Sequence, residues 1–252
     1  MTTSHKNHAA QVAGRNGFSL ISNETFRELY AALLQCVLLD RHLSQASNYE
    51  LWTGREAATA GISACLRSDD TITPNSRSRL ANYLHRKNLL SLSDGAAIDS
   101  PLAAATGDGL RHKLTAKGNV AVVFSPLGDP EAAVRIFAAS MKHLLPVFYV
   151  LDNNPALHKA AGSIPVMRVD DADTVAVYRV AHESIARARE GGGPTIMECA
   201  PWHGDALHDP LEKFENYLTG KKLFRRDWKA RLERKYNEEI KEATSHAELN
   251  GI

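Results

Sequence analysis

The sequence predicts an α/β fold, a parallel sheet flanked by helices, with a helical C-terminal extension. Three observations carry that expectation. Short, continuous apolar runs stand at residues 120–124 and 146–151. Runs of this kind suit strands buried on both faces, as in a parallel sheet. Helical patterns alternate with them, the spacing of right-handed βαβ units. After Pro210 the chain turns charged and helical, with apolar residues confined to edges.

The helical patterns begin at Ser22. Phe26, Leu29, Tyr30, Leu33, Leu34, Val37 and Leu38 share one face at i, i+3, i+4 spacing. Ser22 suits the N-cap, and Glu24 suits the positive end of the helix dipole. A second helix is expected over 56–66, where Ala57, Ala60 and Gly61 permit close approach. Asp69 and Asp70 end that unit, and residues 71–74 read as a short extended piece. Helices are expected again over 78–90 and, despite Gly107 and Gly109, over the Ala-rich 102–113. Residues 91–100 are turn-rich.

Strands are predicted near 120–124, 147–151, 166–169 and 195–199. Between the first two, Asp129-Pro130-Glu131 is a helix start: a capping carboxylate, a proline in the first turn, then an acid. Residues 174–189 read as a helix closed by Gly191-Gly192-Gly193-Pro194. In the extension, Leu211, Phe214, Tyr217 and Leu218 form one apolar edge, and Trp228, Leu232, Tyr236 and Ile240 another. Both edges read as packing surfaces. The expected division is a tail over 1–19, an α/β domain over 20–210 and a helical extension over 211–252.

Bulk properties narrow the function. The chain has 252 residues, 44% hydrophobic and 23% charged, enough for one sizeable core. A net charge of +1 offers no basic excess for a nucleic acid backbone. Cys36, Cys65 and Cys199 are far apart and read as buried and reduced, neither disulfides nor a zinc site. No apolar run reaches the length of a membrane span, and residues 1–19 lack the apolar centre of a secretory signal. A cytoplasmic protein is expected.

Several segments, in order, resemble the alpha subunit of the thiamine diphosphate-dependent 2-oxo acid dehydrogenases, the decarboxylating component. They are Gly54-Arg55-Glu56-Ala57, then Asp69-Asp70-Thr71-Ile72 with Arg77, and the strand ending in Asp152-Asn153-Asn154. Gly193-Pro194 with Glu198, Asp209-Pro210, and Tyr217, Leu218 and Trp228 follow. The likeness runs from about residue 22 to 245. It implies the thiamine diphosphate-binding fold, with thiamine diphosphate and magnesium at the C-terminal edge of the sheet. It also implies a beta-type subunit as partner, supplying the glutamate that activates the cofactor, and a homodimer or larger assembly. No nucleic acid or membrane partner is expected.

Set on that resemblance, the site is shortened and degenerate. The family's Gly-Asp-Gly falls on Phe124-Ser125-Pro126, so a serine hydroxyl replaces a magnesium-binding carboxylate. Pro126 removes an N–H from a phosphate-facing turn. Asn153 and Asn154 match the Asn-Asn end, with Asn154 the one remaining side-chain ligand if magnesium binds. Arg77 is placed to meet a phosphate, or to pair at the surface. Where the family has a catalytic histidine and arginine, Asp205 and His203 stand here. Gly107-Asp108-Gly109 repeats the motif literally but sits in a helical pattern, and Asp129 reads as a cap. Two loops, 91–100 and 155–163, are short for the family.

Two functions are expected on this basis. One is an alpha-subunit-like protein with an eroded cofactor site and little or no catalysis by itself. The alternative is active thiamine diphosphate-dependent oxidative decarboxylation of a 2-oxo acid together with a beta subunit. A small-molecule or nucleotide binder on the same sheet is a third class, because fold alone does not give function.

Overall fold

A computed structural model describes residues 21–44, 55–86, 98–200 and 209–249. The expectations for the 1–19 tail, for Gly54, for most of 91–100 and for His203 and Asp205 lie outside these residues.

Five strands form one all-parallel sheet. They are β1 (Thr71–Ile72), β2 (Ala121–Ser125), β3 (Val147–Asp152), β4 (Val166–Val169) and β5 (Thr195–Cys199), in the order β1-β2-β3-β5-β4. The helices are α1 (Asn23–Leu43), α2 (Glu56–Ser63), α3 (Arg79–Arg86), α4 (Pro101–Thr115), α5 (Pro130–Lys142), α6 (Leu157–Ala161), α7 (Thr174–Arg189), α8 (Pro210–Gly220) and α9 (Arg226–Leu249). A 3-10 turn at Ser76–Ser78 leads into α3.

The period-two alternation of the strands splits the core across the sheet. Val122, Phe124, Phe148, Val150, Met197 and Cys199 face α2 and α7. Ala121, Val123, Val147, Tyr149, Leu151 and Ile196 face α4, α5 and α6. Over β2 and β3 neither face is left to water, which explains their apolar runs, whereas the edge strand β4 exposes Met167 and Arg168. Gly61 earns its place in α2: a Cβ there would meet Val177 Cγ1 at 2.8 Å and the backbone nitrogen of Tyr178 at 3.1 Å. The close α2–α7 approach therefore depends on the missing side chain.

A third cluster is built mainly from helices. Phe26, Tyr30, Leu33 and Val37 of α1 pack against Leu211, Phe214 and Leu218 of α8 and against Tyr236 and Ile240 of α9. Both apolar edges of the extension are thus spent on α1, although Tyr217 stays 37% exposed.

The caps follow the sequence. Ser22 Oγ accepts from Thr25 N at 3.0 Å, and Asp129 accepts from Glu131 N and Ala132 N at 3.2 and 3.1 Å. Gly107-Asp108-Gly109 lies within α4, where a Cβ at Gly109 would collide with Val147 Cγ2, so it packs on the start of β3 rather than at the C-terminal edge of the sheet.

Three local expectations are corrected. Helix α2 stops at Ser63 rather than running to residue 66, because Cys65 N and Leu66 N turn back to Ile62 O and Ser63 O. Such tighter i to i+3 bonds close a helix end. Cys65 is half-buried, not buried, since it lies beyond that end beside a cavity between α2 and α7. The stretch 155–163, read as a shortened loop, holds α6, whose Leu157, Ala160 and Ala161 are anchored in the core.

Candidate functional site at the C-terminal edge of the sheet

Ligands of open α/β sheets collect beyond the carboxyl ends of the strands. Here β1 is followed by Asn75 and Arg77, β2 ends on Ser125, and β3 ends on Asp152 before Asn153 and Asn154. Parallel register sets Ser125 against Leu151 and Asp152 against Cys199. Asn153 N donates to Cys199 O at 3.1 Å. Arg77, Ser125, Asn153 and Asn154, named from sequence, thus lie together along one edge of the sheet.

Ser125 and Asn154 turn side-chain polar atoms to the protein's own backbone. Ser125 is 3% exposed, and its Oγ donates to Pro126 O at 2.8 Å. Asn154 Oδ1 accepts from Ala156 N at 2.9 Å, an Asx turn that starts the approach to α6. Asn75 shapes the segment before α3: its Oδ1 accepts from Arg77 N and Ser78 N, and its Nδ2 donates to Phe124 O at 2.9 Å.

The edge carries a charge cluster that sequence reading missed. Asp152 pairs through one oxygen with Arg55 Nη1 at 2.7 Å and through the other with Arg77 Nη1. Arg55 also reaches Asp171, 3.6 Å from Nε. Arg77 is therefore a partly buried pairing residue. The available signals were Arg55, standing before Glu56-Ala57, and Asp152, standing before Asn-Asn.

Burial pushes the Cys199 thiol up to about 12 in spite of nearby Arg55, so it stays protonated and unsuited to nucleophilic attack. Burial likewise holds the Asp171 carboxyl above the usual carboxylate range. Arg55 pulls it back down, while Asp170 and Asp152 push it further up. A raised folded pKa means that the native state holds the proton longer than the unfolded chain. Stability from this group is therefore lost as pH rises from about 4 through the folded value. Asp171→Asn is expected to flatten that part of the stability–pH curve and to raise the denaturation midpoint near neutrality. Urea titrations of both proteins across the acid range read it; parallel curves would reject the account.

The magnesium–diphosphate group that the resemblance implies does not fit these donors. Magnesium takes hard, anionic oxygens with near-octahedral geometry. Ser125 offers a neutral hydroxyl in place of a carboxylate, its proton given to Pro126 O, and Asn154 Oδ1 already accepts from Ala156 N. The two arginines of the edge are matched by two carboxylates, Asp152 and Asp171, leaving little positive field for a polyanion. Among the described residues, no three His, Cys, Asp or Glu side chains are grouped to hold a metal ion.

Comparison with known proteins agrees with the α/β fold. The family described as "Dehydrogenase E1 component" matches residues 151–203, the stretch from the end of β3 past β5. The alpha subunit of 3-methyl-2-oxobutanoate dehydrogenase from Mycobacterium tuberculosis is 27% identical over 89% of this chain and 78% of its own length. The chain is a divergent relative of the 2-oxo acid dehydrogenase E1 alpha subunits. The alpha subunit of the acetoin:2,6-dichlorophenolindophenol oxidoreductase of Bacillus subtilis is similar at 26% identity, covering 79% of each chain. A chloroplastic pyruvate dehydrogenase E1 component subunit alpha-3 from rice (Oryza sativa subsp. japonica) is 24% identical over 82% of this chain and 63% of its own. For this E1 alpha-like chain no described helix is long and apolar enough to cross a membrane.

Proposed function

We propose that this protein is an E1 alpha-like subunit whose cofactor site is eroded, keeping the fold while contributing little or no catalysis by itself. The observation that carries the reading is the self-satisfied C-terminal edge: Ser125 and Asn154 bond their own backbone, and Asp152 holds both Arg55 and Arg77. By the resemblance, Ser125 stands where a carboxylate would touch the metal, and changes even in groups behind the ligands weaken metal binding roughly 10–100-fold. The relatives are named as subunits, which supports a beta-type partner, a homodimer, or both. The division into an α/β domain over 20–210 and an extension over 211–252 belongs to the same reading. So does a cytoplasmic location, which the free cysteines suit.

Calorimetric titration of the purified chain alone with thiamine diphosphate and magnesium is expected to give no saturable heat. Low-micromolar binding abolished by Asn154→Ala would restore the alternative, oxidative decarboxylation of a 2-oxo acid with a beta subunit. Ser125→Asp combined with Pro126→Gly is expected to create measurable binding. If it does not, the short 91–100 stretch or the Asp152 pairing, rather than the lost carboxylate, was decisive.

A further inference from the structure

We infer that the corner between α8 and α9 is a docking surface for an acidic segment of a partner protein. Residues 221–235 hold eight basic side chains against two acidic ones, in a chain whose total net charge is only +1. The rest of the chain is therefore net acidic, and the positive charge is concentrated at one place in the fold. Lys221, Lys222, Arg225, Arg226, Arg231, Arg234 and Lys235 are all exposed there.

Internal pairing does not neutralise the corner. Arg225 and Arg231 share the single carboxylate of Asp227, at 3.0 and 3.4 Å. Lys229 is taken by Glu215 at 2.7 Å, and Lys235 lies 3.7 Å from Glu239. Lys221 sits over the rings of Phe26 and Tyr217, 5.2 Å from each centroid. Lys222 and Arg226 have no carboxylate partner among the described residues.

Packing and charge spacing select the kind of partner. Insertion into a lipid surface needs apolar residues on the charged face. Phe224, Trp228 and Leu232 are instead packed against the α1 cluster. A nucleic acid backbone presents closely spaced negative charge and rewards an unbroken basic track. Here Asp227 and Glu233 interrupt the series. An acidic polypeptide tolerates such interruptions, because its own carboxylates are spaced by its residues, and arginine forks meet carboxylates in two-pronged geometry.

The test uses the 252-residue chain and three probes: a labelled glutamate-rich peptide, a single-stranded oligonucleotide of matched charge, and phosphatidylserine vesicles. The peptide is expected to bind at low salt more tightly than the other two. Arg226→Glu with Arg234→Glu is expected to weaken it at least about tenfold, as lost charge complementarity does. Arg135→Glu with Lys142→Glu, on the exposed side of α5, changes net charge equally and is expected to leave binding unchanged. Equal losses from the two double variants would overturn the proposal, since net charge alone would then explain attraction. Tighter binding of the oligonucleotide or the vesicles would overturn it in favour of those partners. Circular dichroism confirms that each variant is folded.

Discussion

Replacing Asp70 by alanine is expected to lower the stability of the fold by about 3–5 kcal/mol, as breaking a buried ion pair does. Its side chain is fully buried before β1, at the edge of the sheet opposite the candidate site. One carboxylate oxygen accepts from Val120 N at 2.8 Å, and the other accepts from Arg67 N at 2.7 Å and pairs with Arg189. Truncation strands two backbone donors and leaves the Arg189 guanidinium, 13% exposed, without its counter-charge. Asp70→Asn retains a carbonyl acceptor but turns a donor or a neutral oxygen toward Arg189, so an intermediate loss is expected. Urea denaturation with unchanged slope reads both variants. A loss below about 1 kcal/mol for the alanine variant would mean that the pair is a surface-grade contact. Resemblance groups Asp70 with the passage leading to Arg77, yet its partners make it a clamp on the start of β1 and β2.

That contrast marks what the sequence conveyed. Strands β2 and β3 were legible because burial on both faces favours continuous apolar runs; β5, with buried Thr195 and Glu198, follows the pattern less strictly. The start of α5 was legible because Asp129, Pro130 and Glu131 each relieve a different problem of a helix N-terminus. Helix α6 was not, because its entry signal, Asn154 bonding Ala156 N, also makes an ordinary loop turn. At the site, order along the chain correctly brought Arg77, Ser125, Asn153 and Asn154 to one edge. The clamp of Arg55 and Arg77 on Asp152 was not legible as a pairing, although Arg55 and Asp152 each stand beside a segment that carries the resemblance. Ion pairs between residues far apart in sequence have no periodicity, so composition and spacing cannot reveal them. The same pairing changes the meaning of Arg77, which reads in isolation as a residue available to phosphate.

Tyr30→Ala is expected to lower stability by about 3–5 kcal/mol, the range for losing a large buried aromatic, and to loosen α1, α8 and α9 together. The ring is fully buried, with centroids 6.3 Å from Phe214, 5.7 Å from Phe224 and 4.8 Å from Trp228. Its hydroxyl donates to Glu215 at 2.9 Å, and burial together with that carboxylate pushes its pKa upward, so it stays a donor. Tyr30→Phe keeps the ring contacts and removes only that bond. Glu215 retains Lys229, so a loss of about 0.5–1.5 kcal/mol is expected. The pair of variants separates ring packing from the polar tie. Amide hydrogen exchange supplies the regional readout: in Tyr30→Ala, protection should fall in parallel across α1, α8 and α9 while β2, β3 and β5 keep theirs. If α8 and α9 lost protection while α1 kept its own, the extension would be an appendage with its own stability. A parallel loss would make α1 its core, in which case charge reversals at Arg226 and Arg234 act on a surface held rigid by the same aromatic cluster.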